Sequence, residues 1–146
     1  MLESLIDDYH LSCVTKGIQV NLDAQEDMEV EMVKFQLYSG LSNIFKNAIE
    51  SIEASANKHK GNIKVRLFSD NGKIVLEISD NGLGVEKKYI DKMFLSGFTT
   101  KEDGHGLGLH ALKNFLHSHK SSISLESEGV NRGATLSIFI EEKTDE

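Results

Sequence analysis

Two runs with alternating apolar residues, NIKVRLF from Asn62 and KIVLEIS from Lys73, flank the dipeptide Asn71-Gly72. Asn and Gly are the residues that tolerate the positive φ required at both central positions of a two-residue turn, so these runs predict a β-hairpin. The triplet Asp70-Asn71-Gly72 then recurs as Asp80-Asn81-Gly82, but no strand follows the second copy. The period of two that turns Ile74, Leu76 and Ile78 inward turns Asp80 inward as well. A carboxylate buried there needs a donor, because an unpaired buried charge is strongly destabilising. Either the backbone of Gly82 or Leu83 supplies it, making Asp80 a turn cap, or a ligand amino group does. In the second case Gly82 and Gly84 let the backbone approach a flat ring.

A second periodicity runs along Leu37, Leu41, Ile44, Ala48 and Ile52 and predicts a long helix from about Lys34 to Ala56. At about 100° per residue, Gly40, Asn43, Asn47 and Ser51 share one flank of that helix, while Lys46, Glu50 and Glu53 take the other. The uncharged flank is either plain solvated surface or a place where a carboxamide oxygen binds Mg²⁺ without adding charge beside a polyphosphate.

Weaker signals fill in the remainder. They give a helix from Leu5 to Lys16 with Gly17 as its C-cap, short strands over Ile18 to Leu22 and Met28 to Val33, and a polar turn from Asp23 to Asp27 between them. A loop from Asn57 to Asn62, a short helix near Glu86 to Phe94, a helix over Leu107 to His117 and strands over Ser121 to Glu128 and Ala134 to Glu141 complete the reading. Strands mixed with helices, including two hairpin-like pairs, predict an α+β fold: a two-layer sandwich with about three helices on one face of a mixed, mostly antiparallel sheet. The length of 146 residues fits a single domain.

Six of the twelve glycines fall between Gly82 and Gly108, and GHGLGL, Gly104 to Leu109, opens the helix that follows. Free N–H groups and the dipole at such a helix start attract anions. The spacing is not the dinucleotide fingerprint, since no strand leads directly into it. On a chain of net charge −7, Lys101 is the only Lys or Arg between Lys92 and Lys113, and it stands beside Thr99 and Thr100. The acidic balance argues against nucleic acid and anionic membrane surfaces as partners. The single cysteine, Cys13, is read as a small buried hydrophobe, and with no apolar run long enough for a membrane span the chain reads as cytoplasmic, or as the cytoplasmic part of a membrane-bound sensor.

Taken together, NIFKNAIES, DNGLGV, FLSGFTTK, GHGLGLH and RGATLSIF resemble, in order and spacing, the N box, first glycine box, phenylalanine box, second glycine box and last strand of an ATP-binding domain. That domain is shared by sensor histidine kinases, DNA gyrase, the heat-shock protein of 90 kDa and MutL. The likeness covers about Leu22 to Ile140 and is nearest to nitrogen-regulation-type histidine kinases with a short lid. It implies ATP and Mg²⁺ as ligands. Asp80 would receive the adenine amino group, with Thr135 joining through water, although Thr135 shares strand parity with Ser137 and Phe139. Asn47 would ligate Mg²⁺. Gly82, Gly84, Phe98, Thr99, Thr100, Lys101 and the stretch Gly104, His105, Gly106, Leu107 and Gly108 would surround the nucleotide, with Ser96 to His105 acting as a lid that orders on the triphosphate.

Asn43 stands where hydrolysing relatives place a water-activating glutamate. A carboxamide has no basic lone pair at neutral pH, so phosphorylation of histidine is favoured over hydrolysis, with Asn43, Asn47 and Lys101 as the catalytic set. A neutral imidazole already presents a nucleophilic nitrogen and needs positioning more than proton abstraction. His10 precedes Leu11 where family acceptors precede an acidic residue, so the acceptor histidine is expected on a dimerisation domain outside this chain. Residues 1–16 would be the connection to it, and a response-regulator receiver domain the downstream partner. His110, His117 and His119 are expected on helix faces without a metal. A serine kinase of the anti-sigma-factor type and a non-catalytic nucleotide-sensing module are the alternatives. Departures from the family pattern are Gly97-Phe98 in place of proline-phenylalanine, and Glu50 where relatives carry lysine or another polar residue.

Overall fold

The computed structural model describes residues 1–25, 34–97 and 108–141. Helix α1 (Leu2–Thr15) leads to strand β1 (Gln19–Ala24), and helix α2 (Lys34–Glu53) leads through a 3-10 turn (Lys58–Lys60) to strands β2 (Asn62–Asp70) and β3 (Lys73–Asp80). The short helix α3 (Lys87–Ile90), helix α4 (Gly108–Ser118) and strands β4 (Ser122–Glu126) and β5 (Ala134–Glu141) complete the described elements. The five strands form one sheet in the order β1-β2-β3-β5-β4. Only the edge pair β1 and β2 is parallel; the other three pairings are antiparallel, as expected for a mixed sheet.

The hairpin is the one predicted. Asn71 and Gly72 have φ of 51° and 80°, and the register closes on Asp70 opposite Lys73. Helix α1 ends at Gly17, whose φ is 70°: its N–H bonds Val14 O at 3.2 Å and the Ile18 N–H bonds Cys13 O at 2.8 Å. Those two bonds satisfy carbonyls that the helix end would otherwise leave open, and only glycine adopts the required backbone without strain. Ile18 and Cys13 are both buried beside this cap, and burial pushes the Cys13 thiol pKa up.

The helices cover one face of the sheet. Helix α2 buries Leu37, Leu41, Ile44, Phe45, Ala48, Ile49 and Ile52 in a core shared with Ile63, Val65, Ile74, Leu76, Ile78, Ile138 and Ile140. Each such side chain removed from water contributes about 1.5–3 kcal/mol, so the apolar stripe fixes which flank of α2 stays open. Helix α4 crosses α2 where Gly40 faces Leu112; a Cβ on Gly40 would collide with a Leu112 methyl. Some boundaries shift because pairing, not local pattern, sets them. Strand β1 continues through Asp23 and Ala24 because both keep β2 partners, which shortens the expected turn. Helix α2 stops at Glu53, and the expected loop contains the 3-10 turn. Helix α3 is only four residues long, with turns carrying on to Gly97. The expected strand from Met28 to Val33 lies outside the described residues. Among the described residues no helix is long and apolar enough to cross a membrane.

Candidate functional site

Asp80 ends β3 on the helix-covered face, directly opposite Ala134 at the start of β5. Its Oδ1 accepts the Gly82 N–H at 2.8 Å, so the turn-cap expectation is met. That bond does not use up the carboxylate, which offers about four lone-pair directions. Burial raises the Asp80 carboxyl from 3.8 to about 6, against the opposing pull of the Gly82 and Ala134 backbone N–H groups. A carboxylate this poorly compensated, on the wall of a cavity of about 570 Å³, is suited to receive a further donor. Leu125 and Ala134 line the cavity with it, Ile90 at the end of α3 and Asp91 just after it contribute a wall, and the exposed Arg132 and Glu128 line it as well.

The loop that carries Asp80 is clamped on both sides. The Leu83 N–H meets Ser51 O at 3.0 Å and Ser51 Oγ at 2.9 Å, which docks the loop on α2 one turn beyond Asn47. A Cβ on Gly82 would lie 2.6 Å from Ser51 Oγ and 2.7 Å from the Ile52 backbone nitrogen. Gly84, with φ of 72°, abuts the carbonyls of Gly129 and Gly133. Chain-to-chain approach within the protein is by itself a reason for glycine at both positions, beside the approach to a ligand ring that the sequence suggested. Replacing Gly82 with alanine is expected to cost about 1–3 kcal/mol, because a helix backbone cannot move aside as a side chain can. Denaturant unfolding checks this, and an unchanged midpoint would show that the loop shifts freely.

Three asparagines brace the same loop and were not singled out from sequence. Asn81 Oδ1 accepts the Asn62 N–H at 2.7 Å and its Nδ2 donates to Lys60 O at 2.7 Å. Asn57 Nδ2 donates to Asn81 O at 3.0 Å and Asn131 O at 3.1 Å, and Asn131 Oδ1 accepts the Ala56 N–H. Ser127 Oγ accepts the Val85 N–H at 3.0 Å and donates to Gly133 O at 2.7 Å. The only local hint was the run of turn-forming residues around each position; the partners of the three asparagines lie 19 to 75 residues away.

Asn43 and Asn47 are half-buried on the flank of α2 expected from the periodicity. The Asn43 carboxamide lies against Gly108, the first residue of α4, where any Cβ would collide with it. The uncharged flank and the start of α4 are thus in contact, and about two turns further along α2, at Ser51, the clamped loop begins. Thr135 lines the cavity together with Asp80, but its hydroxyl is engaged elsewhere. It pairs with Ser79, one residue before Asp80, and its hydroxyl lies 2.9 Å from Ser79 Oγ on the opposite face of the sheet. Strand parity does not bring that hydroxyl to the Asp80 carboxylate, and Ala134 faces Asp80 instead. Phe98, Thr99, Thr100, Lys101, Gly104, His105, Gly106 and Leu107, and with them most of the expected lid, lie outside the described residues. Among the described residues no group of three or more His, Cys, Asp or Glu could hold a metal ion. Mg²⁺ commonly takes one or two protein oxygens with phosphates and waters, so a lone carboxamide such as Asn47 suits a nucleotide-borne ion better than an all-protein cage.

Comparison with known proteins agrees with this arrangement. The family described as histidine kinase-, DNA gyrase B- and HSP90-like ATPase matches residues 32–144. Sporulation kinase D of Bacillus subtilis is 29% identical over 126 residues, 85% of this chain and 24% of that protein. The sensor histidine kinase ZraS of Salmonella typhimurium is 30% identical over 129 residues, 86% of this chain and 26% of that protein. The chain thus spans about a quarter of the length of these curated relatives. The solved catalytic domain of histidine kinase ThkA superposes with a TM-score of 0.82 at 23% identity, covering 96% of this chain and 89% of that one. ThkA has also been solved in complex with the response regulator protein TrrA, with a TM-score of 0.79 at 21% identity over 98% of this chain and 39% of that one.

Proposed function

The chain belongs to the histidine kinase-, DNA gyrase B- and HSP90-like ATPase family, and from that membership we propose that it is the ATP-binding catalytic domain of a protein-histidine kinase in a two-component system. The observation that carries this reading is the half-buried Asp80 carboxylate on the cavity wall, with α2 bringing Asn43 against the start of α4 nearby. Asp80 accepts the adenine amino group, and Leu125 and Ile90 supply apolar contact to the ring. The amide flank of α2 faces the polyphosphate, with Asn47 as the Mg²⁺ ligand. Bound Mg²⁺ neutralises phosphate charge.

Asn43 holds no proton-abstracting group to the γ-phosphate, which suits an acceptor that is already nucleophilic. The neutral imidazole nitrogen attacks phosphorus, the bond from the γ-phosphorus to the β,γ-bridging oxygen breaks, and ADP leaves with the bond electrons. Lys101, Thr99 and Thr100 stabilise the charge on the transferring group. The acceptor histidine is proposed on a dimerisation domain, with a response regulator downstream. The likeness of 98% of this chain to part of a histidine kinase solved in complex with a response regulator supports the response-regulator partner.

Incubating the chain with γ-labelled ATP, Mg²⁺ and a histidine-bearing dimerisation domain, its own or a partner's, tests the reading. Acid-labile, base-stable label on that domain is the expected result. Acid-stable label on serine would indicate the serine-kinase alternative, and binding without transfer to any partner would indicate a nucleotide sensor.

A further inference from the structure

His110 plays no part in the reading above, yet it joins the two elements that bound the site. We propose that His110 is a positioning residue that fixes the wall carrying Ile90 against the N-terminus of α4, and so sets the spacing between the adenine and phosphate ends of the site. This rests on the nucleotide reading and deepens it.

Helix α3 needs outside support. It has four residues and buries none of them, far short of the length at which a helix holds itself together in water. A chain of turns extends it: the N–H groups of Lys92, Met93 and Leu95 bond the carbonyls of Tyr89, Ile90 and Lys92. Whatever holds Phe94 therefore holds Ile90, which lines the cavity.

Helix α4 supplies that hold. His110 Nδ1 lies 3.1 Å from Phe94 O. A carbonyl only accepts, so Nδ1 carries the proton and donates it. On the other side of the ring, Asn114 Nδ2 lies 3.2 Å from Nε2 and fixes the ring plane. The Lys113 ammonium sits 5.5 Å from the centroid of the Phe94 ring. Positions 110, 113 and 114 are neighbours on one helix face, so one side of α4 is given over to Phe94. His110 is the third residue of α4, and the first, Gly108, is the one packed on Asn43. One turn of helix thus meets the amide flank of α2 and the turns that extend the Ile90 wall of the cavity together.

A ligand that touches only the adenine end is insensitive to this spacing; one that spans both ends is not. Dissociation constants for adenosine and for ATP, measured by calorimetry on the unmodified chain, His110→Leu and His110→Gln, test the proposal, with thermal unfolding alongside. Leucine fills similar space without a donor and should weaken ATP about threefold to tenfold, the range of one lost hydrogen bond, while adenosine changes little. Glutamine keeps an amide donor within reach of Phe94 O and should restore most of the ATP affinity. A loss shared equally by ATP and adenosine, or no rescue by glutamine in a variant that unfolds at the normal temperature, would overturn the positioning role. If the unmodified chain binds neither ligand, the nucleotide reading fails and the role of His110 falls with it.

Discussion

Replacing Asp80 with asparagine should weaken ATP binding about tenfold to a hundredfold while making the empty protein more stable at neutral pH. The first effect follows from the hydrogen bond to a charged acceptor, worth roughly 1.5–3 kcal/mol. An asparagine that keeps its oxygen on the Gly82 N–H turns its amino group away from that donor, and an amino group cannot accept from adenine. The second effect follows from the raised pKa. With the carboxyl at about 6 when folded and 3.8 ordinarily, the native state favours the neutral form. The stabilising contribution of Asp80 is complete below about pH 4 and disappears as pH rises through about 6. Above that, the ionised group costs roughly 2–3 kcal/mol, which asparagine avoids. Nucleotide affinity should run the opposite way in the unmodified protein, falling as pH drops below about 6, because a protonated carboxyl has lost acceptor capacity. Calorimetry and denaturant unfolding between pH 5 and 8 would read both trends. Unchanged ATP affinity in folded Asp80→Asn would leave Asp80 a turn cap and nothing more.

Asn47→Ala should remove the magnesium-dependent part of ATP affinity and leave adenosine binding nearly intact. The expected loss with Mg²⁺ is about tenfold to a hundredfold, as for other groups that hold or orient a metal. In excess chelator, the substitution should change nucleotide binding very little. The contrast matters because Asn47 is half-buried on the helix that forms the core, so a packing defect would also weaken binding. Equal losses with and without Mg²⁺ would identify such a defect and withdraw the metal role.

Features legible in the sequence were those whose physics is local. Asn71-Gly72 declares its own turn because few other residues accept positive φ twice in succession. Gly17 marks the end of α1 for the same reason. Leu37, Leu41, Ile44, Ala48 and Ile52 announce one face of α2, and the parity of β3 turns Asp80 toward the helices. Parity also set Thr135 apart from that face, and the register bears the parity out: its hydroxyl meets Ser79 Oγ, while the residue itself still lines the cavity with Asp80.

Sequence alone therefore determined most of the described elements, the open flank of α2, the inward carboxylate and, through five motifs in order, the family. Tertiary structure alone decided that β1 pairs in parallel with β2, that Ala134 faces Asp80, and that Gly82 is glycine because α2 passes too close for a Cβ. It also decided that Asn57, Asn81 and Asn131 converge on one loop and that His110 reaches Phe94. The division has one physical cause. A turn or a helical stripe is specified by residues within a few positions of one another. Strand pairing, helix-to-loop approach and side chain-to-backbone braces join residues far apart along the chain, and which of them meet is fixed only when the core closes.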